Sequence, residues 1–264
     1  MMTGMPEDRV IVVTGATGIA AACSQRIGAM GATVFTISLA DAECELLHGR
    51  MDELGIDHAW ASADLRDEAA AVRAFTACLE RFGRIDGLVC VAGGSGRAFG
   101  DGTIDTIALD AWTATLDLNL TTTFLSVRET VKHMLAREGG GSIVIVSSVL
   151  AEHPSPSRFG THAYAVAKGG QLALVRTTAA AYASRGIRVN AVAPSVVRTP
   201  MSERAQADPE LVRYVEAKQP LTHGFLDPDA VAAAVAYLVS EDAAAVTGQV
   251  LTVDGGWSLT EVGS

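Results

Sequence analysis

The sequence predicts an α/β fold, one doubly wound and mostly parallel sheet with helices on both faces. Three observations carry that expectation. Short apolar runs alternate with helix-like segments along the chain, which calls for right-handed βαβ crossovers. The composition is 49% hydrophobic but only 5% aromatic, so the core must be built from Ala, Val, Leu and Ile, as suits helices laid closely on a sheet. A chain of 264 residues fits one large domain better than two, and no boundary or internal repeat interrupts it, so 1–264 reads as a single unit.

In chain order, Met1–Asp8 reads as a loose leader and Arg9–Val13 as the first strand, ending in Thr14-Gly15. A helix follows from about Gly18 to Met30, then a buried strand at Val34–Ile37. The next helix, rich in Ala, Glu and Leu, runs to Leu54, and His58–Ser62 is a weaker strand. A third helix covers Glu68–Phe82, and Gly87–Val91 is a short strand closed by Ala92-Gly93-Gly94. A long helix is expected over Trp112–Arg137, because Leu116, Leu120, Phe124, Val127, Val131 and Met134 recur at steps of three and four. Ser142–Ser147 is the fifth strand, Ala163–Arg185 a helix stopped by Gly186, Ile187–Val192 the sixth strand and Gln249–Val253 the seventh. Thr199–Phe225 breaks the rhythm. Ligands gather outside the carboxyl ends of such sheets, so residues 194–225 are expected to form a substrate lid.

The formal charge of −10, without any run of basic residues, argues against nucleic acid as a partner. Cys23, Cys44, Cys78 and Cys90 have no CxxC spacing and read as reduced residues of a cytoplasmic protein. No apolar stretch is long enough to suggest a membrane span. No His, Cys, Asp or Glu cluster has metal-ligand spacing, so no metal is expected.

The segment Thr14-Gly15-Ala16-Thr17-Gly18-Ile19 puts two glycines between the first strand and its helix. Gly15 can take the tight turn, while Gly18 lets backbone N–H groups approach a diphosphate at the helix N-terminus. Ordinary turn glycines would look the same, but the position after the first strand favours a Rossmann-like dinucleotide turn. At the end of the second strand, Ser38 can hydrogen-bond a ribose, and no Arg or Lys follows to neutralise a 2′-phosphate. NAD is therefore preferred over NADP. Asp64 could accept from an adenine amino group or simply cap the next helix.

Tyr164 and Lys168 stand four apart, on one helical face. A phenol near pKa 10 is a poor base at neutral pH, and a neighbouring ammonium favours its ionised form. The small apolar residues around the pair suggest a packed helix rather than a solvated one. Ser148 ends the fifth strand and Asn119 sits among apolar helix positions, where it needs partners.

Together these residues resemble the classical short-chain dehydrogenase/reductase family over essentially the whole chain. Its active-site Asn, Ser, Tyr and Lys match Asn119 in Asp117-Leu118-Asn119-Leu120, Ser148 in Ile145-Val146-Ser147-Ser148, and Tyr164 and Lys168. Arg188–Thr199 and Asp254-Gly255-Gly256 match further family segments. The resemblance implies an NAD(P)-dependent oxidoreductase that interconverts a secondary alcohol and a ketone, with a small-molecule substrate. It makes Tyr164 the general acid and base, Lys168 the holder of the nicotinamide ribose, Ser148 a donor to the substrate oxygen and Asn119 the anchor of a proton-relay water. Gly15, Thr17, Gly18, Ile19, Ser38, Asp64, Leu65, Ala92, Gly93, Pro194, Val197 and Thr199 become cofactor contacts alongside Tyr164 and Lys168. A homotetramer or homodimer is implied as well, and Gln249–Leu259 is a segment that another subunit could cover.

The chain departs from the family pattern in four places. Gly15 and Gly18 are one residue closer together than usual, with Ala20 or Ala21 where a third glycine would stand. Cys90-Val91-Ala92-Gly93 lacks the side-chain amides that brace the fourth strand. Ser195 replaces a glycine after Pro194. Glu152–His162 lengthens the interval between Ser148 and Tyr164 and reads as a longer substrate-facing loop stiffened by two prolines. Its His153 and His162 read as surface residues more readily than as substrate contacts. A 3-oxoacyl thioester reductase is an alternative, for which Arg97, Arg158, Arg198 and Arg204 are the local basic candidates. A non-catalytic cofactor-binding protein is the alternative of another class.

Overall fold

The computed structural model describes residues 8–137 and 139–261, so the leader expected at Met1–Asp8 lies, Asp8 apart, outside the described residues. The first half of the chain runs β1 (Val10–Thr14), α1 (Ile19–Ala29), β2 (Thr33–Ser38), α2 (Asp41–Glu53), β3 (His58–Ser62), α3 (Glu68–Phe82) and β4 (Gly87–Cys90). It continues through α4 (Leu109–Leu116), α5 (Thr122–Arg137), β5 (Gly141–Val146), α6 (Pro156–Phe159), α7 (His162–Tyr182) and β6 (Ile187–Pro194). Then come α8 (Glu203–Ala207), α9 (Pro209–Lys218), α10 (Pro228–Val239) and β7 (Val250–Val253).

All seven strands pair in parallel, in the order β3-β2-β1-β4-β5-β6-β7. Alternate residues of each central strand serve opposite faces. Ile11 and Val13 of β1 join one apolar cluster, together with residues of α1, α2 and α10. Val10 and Val12 join the other, with α3, α5 and α7. The order reverses between β1 and β4, and the crevice beyond their carboxyl ends is where such a sheet takes ligands. The four cysteines are buried and unpaired in this core.

Two elements differ from the sequence expectation. The long helix starts earlier, at Leu109, and is interrupted at Asp117–Thr121 by a π-helical turn. A π turn inserts one residue, which rotates the rest of the helix by about 100°. The buried stripe therefore changes phase: Val127, Val131 and Met134 are buried, whereas Phe124 is exposed under the Arg128 guanidinium. Thr199–Phe225 is not irregular but carries α8 and α9, the latter capped by Asp208, whose carboxylate accepts from the N–H of Glu210 and Leu211. Short helices with few buried residues, Leu211 and Val215 in α9, leave little periodicity to read.

Candidate active site

One large cavity, about 820 Å³, opens along the carboxyl ends of the strands. Its first wall is the β1–α1 turn. Gly15 (φ 95°) and Gly18 (φ 54°) hold left-handed backbone there, and the Gly15 N–H donates to Ile37 O at 2.7 Å. A Cβ on Gly15 would meet the Ala20 Cβ at 3.2 Å, so a glycine on one side of this contact tolerates alanine on the other. A Cβ on Gly18 would reach within 2.9 Å of Thr199. The N-terminus of α1 has no side-chain cap and no acidic residue in its first turn. The Ala20 N–H donates to Thr17 O at 3.1 Å, no side chain caps the turn, and the positive helix end borders the cavity, which fits a bound diphosphate.

The brace missing from β4 is supplied from β1. The Thr14 hydroxyl accepts from the N–H of Val91 at 3.0 Å and of Ala92 at 3.2 Å. Beyond, Ser38 and Asp64 reach the cavity, as does Glu43 at the first turn of α2, 3.4 Å from the Ser38 hydroxyl. Asp64 does not cap α3, a task that falls to Asp67 through the Ala70 N–H. Its carboxylate instead grips the Arg66 guanidinium at 2.9 and 2.7 Å, which holds the Asp64 pKa below the usual carboxylate range.

The chemical centre lies over β5. The Ser147 hydroxyl donates to Lys168 O at 3.0 Å, and the Lys168 ammonium donates to Val146 O at 2.9 Å, so α7 is fastened to the strand end. The Lys168 Nζ sits 5.5 Å from the centre of the Tyr164 ring. Burial lowers the Lys168 pKa to about 8. Burial also raises the Tyr164 phenol to about 12, against a smaller opposing pull from its hydrogen bond with the Ser148 hydroxyl. Tyr164, Lys168 and Ser148 all line the cavity. The phenol is thus held protonated beside a second hydroxyl, an arrangement that can donate to a carbonyl oxygen.

Asn119 is placed differently from the other expected residues: it is buried in the π turn and does not line the cavity. Its amide donates to Gly94 O and Thr115 O, both at 2.9 Å, and its Oδ1 accepts from the Gly94 N–H at 3.1 Å. Its backbone carbonyl accepts from Thr123 at 2.7 Å and from Gln171 at 3.0 Å. The side chain therefore fixes the loop after β4, where a Cβ on Gly93 would clash with the Asn119 Oδ1 at 2.5 Å.

The remaining expected contacts, Thr17, Ile19, Leu65, Ala92, Gly93, Pro194, Val197 and Thr199, line the same cavity. Ser195 lines it too, and its hydroxyl is buried without a hydrogen-bond partner, as a wall group awaiting a polar ligand would be. The loop after Ser148 contributes Phe159 and Thr161, whereas His153 and His162 stay outside. Phe159 packs against Tyr214 and Trp257, with ring centroids 6.4 and 5.7 Å away, which joins loop, α9 and C-terminal segment in one aromatic cluster. Of the four arginines singled out above, Arg158 pairs with Glu210 and Arg198 lies over Phe225, while Arg97 and Arg204 line the cavity.

Asp101 was invisible as a site residue. It is buried, and its carboxylate accepts from the N–H of Ala163 at 3.0 Å and of Tyr164 at 2.9 Å. It caps α7 across 62 residues of sequence, a role no local motif announces. Among the described residues no cluster of three metal-ligating side chains occurs, and no helix is long and apolar enough to cross a membrane.

A family model described as enoyl-(acyl carrier protein) reductase matches residues 13–258. The 3beta-hydroxysteroid dehydrogenase 1 of Eggerthella lenta is 36% identical over 254 residues, covering 95% of this chain and 94% of its own. The cis-4-hydroxycyclohexanecarboxylate dehydrogenase of Sinomonas cyclohexanicum is 34% identical over 252 residues, covering 95% and 97%. The crystal structure of levodione reductase superposes with a TM-score of 0.88 at 30% identity, over 96% of this chain and 98% of that one.

Proposed function

The chain belongs to the classical short-chain dehydrogenase/reductase family of NAD(P)-dependent oxidoreductases, and from that premise we propose that it interconverts a secondary alcohol and a ketone, with Tyr164 as general acid and base and NAD as the preferred cofactor. The observation that carries this reading is the meeting of the Tyr164 phenol, the Ser148 hydroxyl and the Lys168 ammonium in the wall of one cavity.

The glycine turn and the N-terminus of α1 would hold the cofactor diphosphate, Lys168 the nicotinamide ribose, and Thr199 and Ser195 the far end of the nicotinamide half. When bound, the nicotinamide supplies or accepts the hydride. In the reducing direction Tyr164 gives its proton to the substrate oxygen, and the Ser148 hydroxyl donates a second hydrogen bond where negative charge develops. In the oxidising direction Tyr164 must take a proton, which its high pKa in the free protein opposes; positive charge beside the ring, from Lys168 and the oxidised cofactor, brings it into range. Asn119 is a positioning residue that shapes the loop after β4.

Glu43 supports the choice of NAD. Its carboxylate beside Ser38 would accept from ribose hydroxyls and repel a 2′-phosphate, and the nearby Arg66 is already held by Asp64. Residues 194–225 act as a lid, laying Thr199 against Gly18 and placing Met201 and Arg204 in the cavity wall. The exposed β7 edge, with Leu251 and Thr252 open, supports a homodimer or homotetramer. Relatives named for a hydroxysteroid and a hydroxycyclohexanecarboxylate make ring-borne secondary alcohols the first substrates to try.

The test is Tyr164→Phe, assayed with NAD(H) and NADP(H) on a panel of cyclic alcohols and ketones. Turnover should fall by about 10² to 10⁴-fold, with the NAD dissociation constant nearly unchanged and NAD favoured in the parent protein. Retained turnover would remove Tyr164 as proton donor. A 3-oxoacyl thioester reductase is the second reading, for which the matching family model's acyl-carrier-protein substrate speaks; 3-oxoacyl thioesters outpacing every cyclic ketone would select it.

A further inference from the structure

The charges along the cavity are sorted by position. Its acidic residues, Glu43 and Asp64, both stand at the tips of β2 and β3, and Arg66 there is neutralised by Asp64. The opposite end carries Arg97 and Arg204 and no acidic lining residue. In a chain of net charge −10, neither of these arginines makes an ion pair or a hydrogen bond to the described residues. The nearby Asp101 attracts Arg97 through space but makes no hydrogen bond or ion pair with it, its carboxylate accepting instead from the N–H groups of Ala163 and Tyr164.

Resting on the oxidoreductase reading above, we propose that Arg97 and Arg204 form an anion-binding subsite, and that the substrate is a ketone or alcohol carrying a carboxylate or a phosphate ester. Two guanidiniums facing one cavity repel each other, and an anion between them turns that repulsion into two charge-assisted hydrogen-bonded contacts. Both arginines stand on the exposed rim, yet partial desolvation, followed by repulsion from Arg204, holds the Arg97 pKa below the usual value against the weaker pull of Asp101.

The placement is built rather than incidental. Arg97 opens a single 3-10 turn, Arg97–Phe99, between Gly96 (φ 72°) and Gly100 (φ 96°). A Cβ on Gly96 would meet Thr115 at 2.4 Å, so the turn is seated tightly on α4. The next residue is Asp101, whose grip on α7 ties this turn to the helix that carries Tyr164. Arg204 comes from the other side, on α8 of the lid, held by Gln206 donating to Thr199 O at 3.0 Å. One cation is thus fixed relative to the proton donor and the other rides on the lid, so an anionic group bound by both would draw the lid towards the wall. Phe99 and Phe159 leave an apolar stretch of cavity for the carbon skeleton between anion and carbonyl.

The experiment is an equilibrium titration of the protein saturated with NADH, monitored by isothermal titration calorimetry. The ligands are cyclohexanecarboxylate, cyclohexyl phosphate and methyl cyclohexanecarboxylate, none of which carries a reducible ketone. The anions should bind at least about 10-fold more tightly than the ester, as expected for hydrogen bonds to a charged group. Whichever anion binds more tightly names the source of the charge. Arg97→Gln and Arg204→Gln should each bring the anion-to-ester affinity ratio down several-fold, and the double variant should bring it to about one. An ester that binds as tightly as the anions, ratios unmoved in the variants, or no binding of any of the three to the parent protein would overturn the proposal. Failure of the oxidoreductase reading is separate: it would appear as absent hydride exchange with every substrate and would leave these ratios untouched.

Discussion

Lys168 pays a folding penalty for its position. Its ammonium is buried on the Val146 carbonyl with a pKa of about 8, below the ordinary 10.5 of an exposed lysine. Because the folded value is depressed, the unfolded chain binds the extra proton between those limits. The stability linked to this group is complete above about pH 10.5 and is lost as pH falls through about 8. Lys168→Met should therefore stabilise the cofactor-free protein at pH 7, by up to roughly 3 kcal/mol, while depressing turnover. Urea midpoints at several pH values check the sign: the advantage of the variant must shrink between about pH 8 and pH 10.5. An advantage that does not change across that range would mean that the charge costs nothing. Tyr164, Lys168 and Ser148 were legible because four-residue helical spacing and a strand end are local patterns. Glu43, Thr14 and Asp101 were not, since each acts on a partner that only the folded chain brings near.

At the level of the element, the seven strands of a parallel sheet followed from alternating apolar runs and the phosphate turn from Gly15 and Gly18, whereas the π turn and the helices α8 and α9 did not. A π turn leaves the composition of a helix intact and alters only its phase, so the stripe through Phe124 looked continuous until the fold was seen. The N-terminus of α7 is the element on which the site depends. Thr161 occupies its cap position without capping the helix, its hydroxyl donating to Phe159 O instead, and Asp101 takes over from a distant loop. Asp101→Ala should lower stability by about 1–2 kcal/mol, the usual cost of a lost cap, and should lower kcat as well because the same bond sets the Tyr164 backbone. Thermal unfolding and steady-state kinetics read the two effects; Asp101→Asn, which keeps an acceptor, should restore part of both. A variant with lowered melting temperature and unchanged kcat would show the cap to be structural only.

Across the whole molecule, both edges of the sheet are strands, β3 and β7. Light scattering should find a dimer or tetramer, and Leu251→Lys on the β7 edge should shift it towards smaller species; a parent protein that runs as a monomer would discard that interface. The aromatic cluster of Phe159, Tyr214 and Trp257 has a consequence for synthesis. A ribosome releases the phosphate turn first and Trp257 last among these parts. The lid and the long loop therefore have no hub to settle on while most of the sheet is already out. The phosphate turn waits as well, because α1 packs on α10 and Gly18 lies against Thr199, so both halves of the pocket are completed only by segments from the last third of the chain.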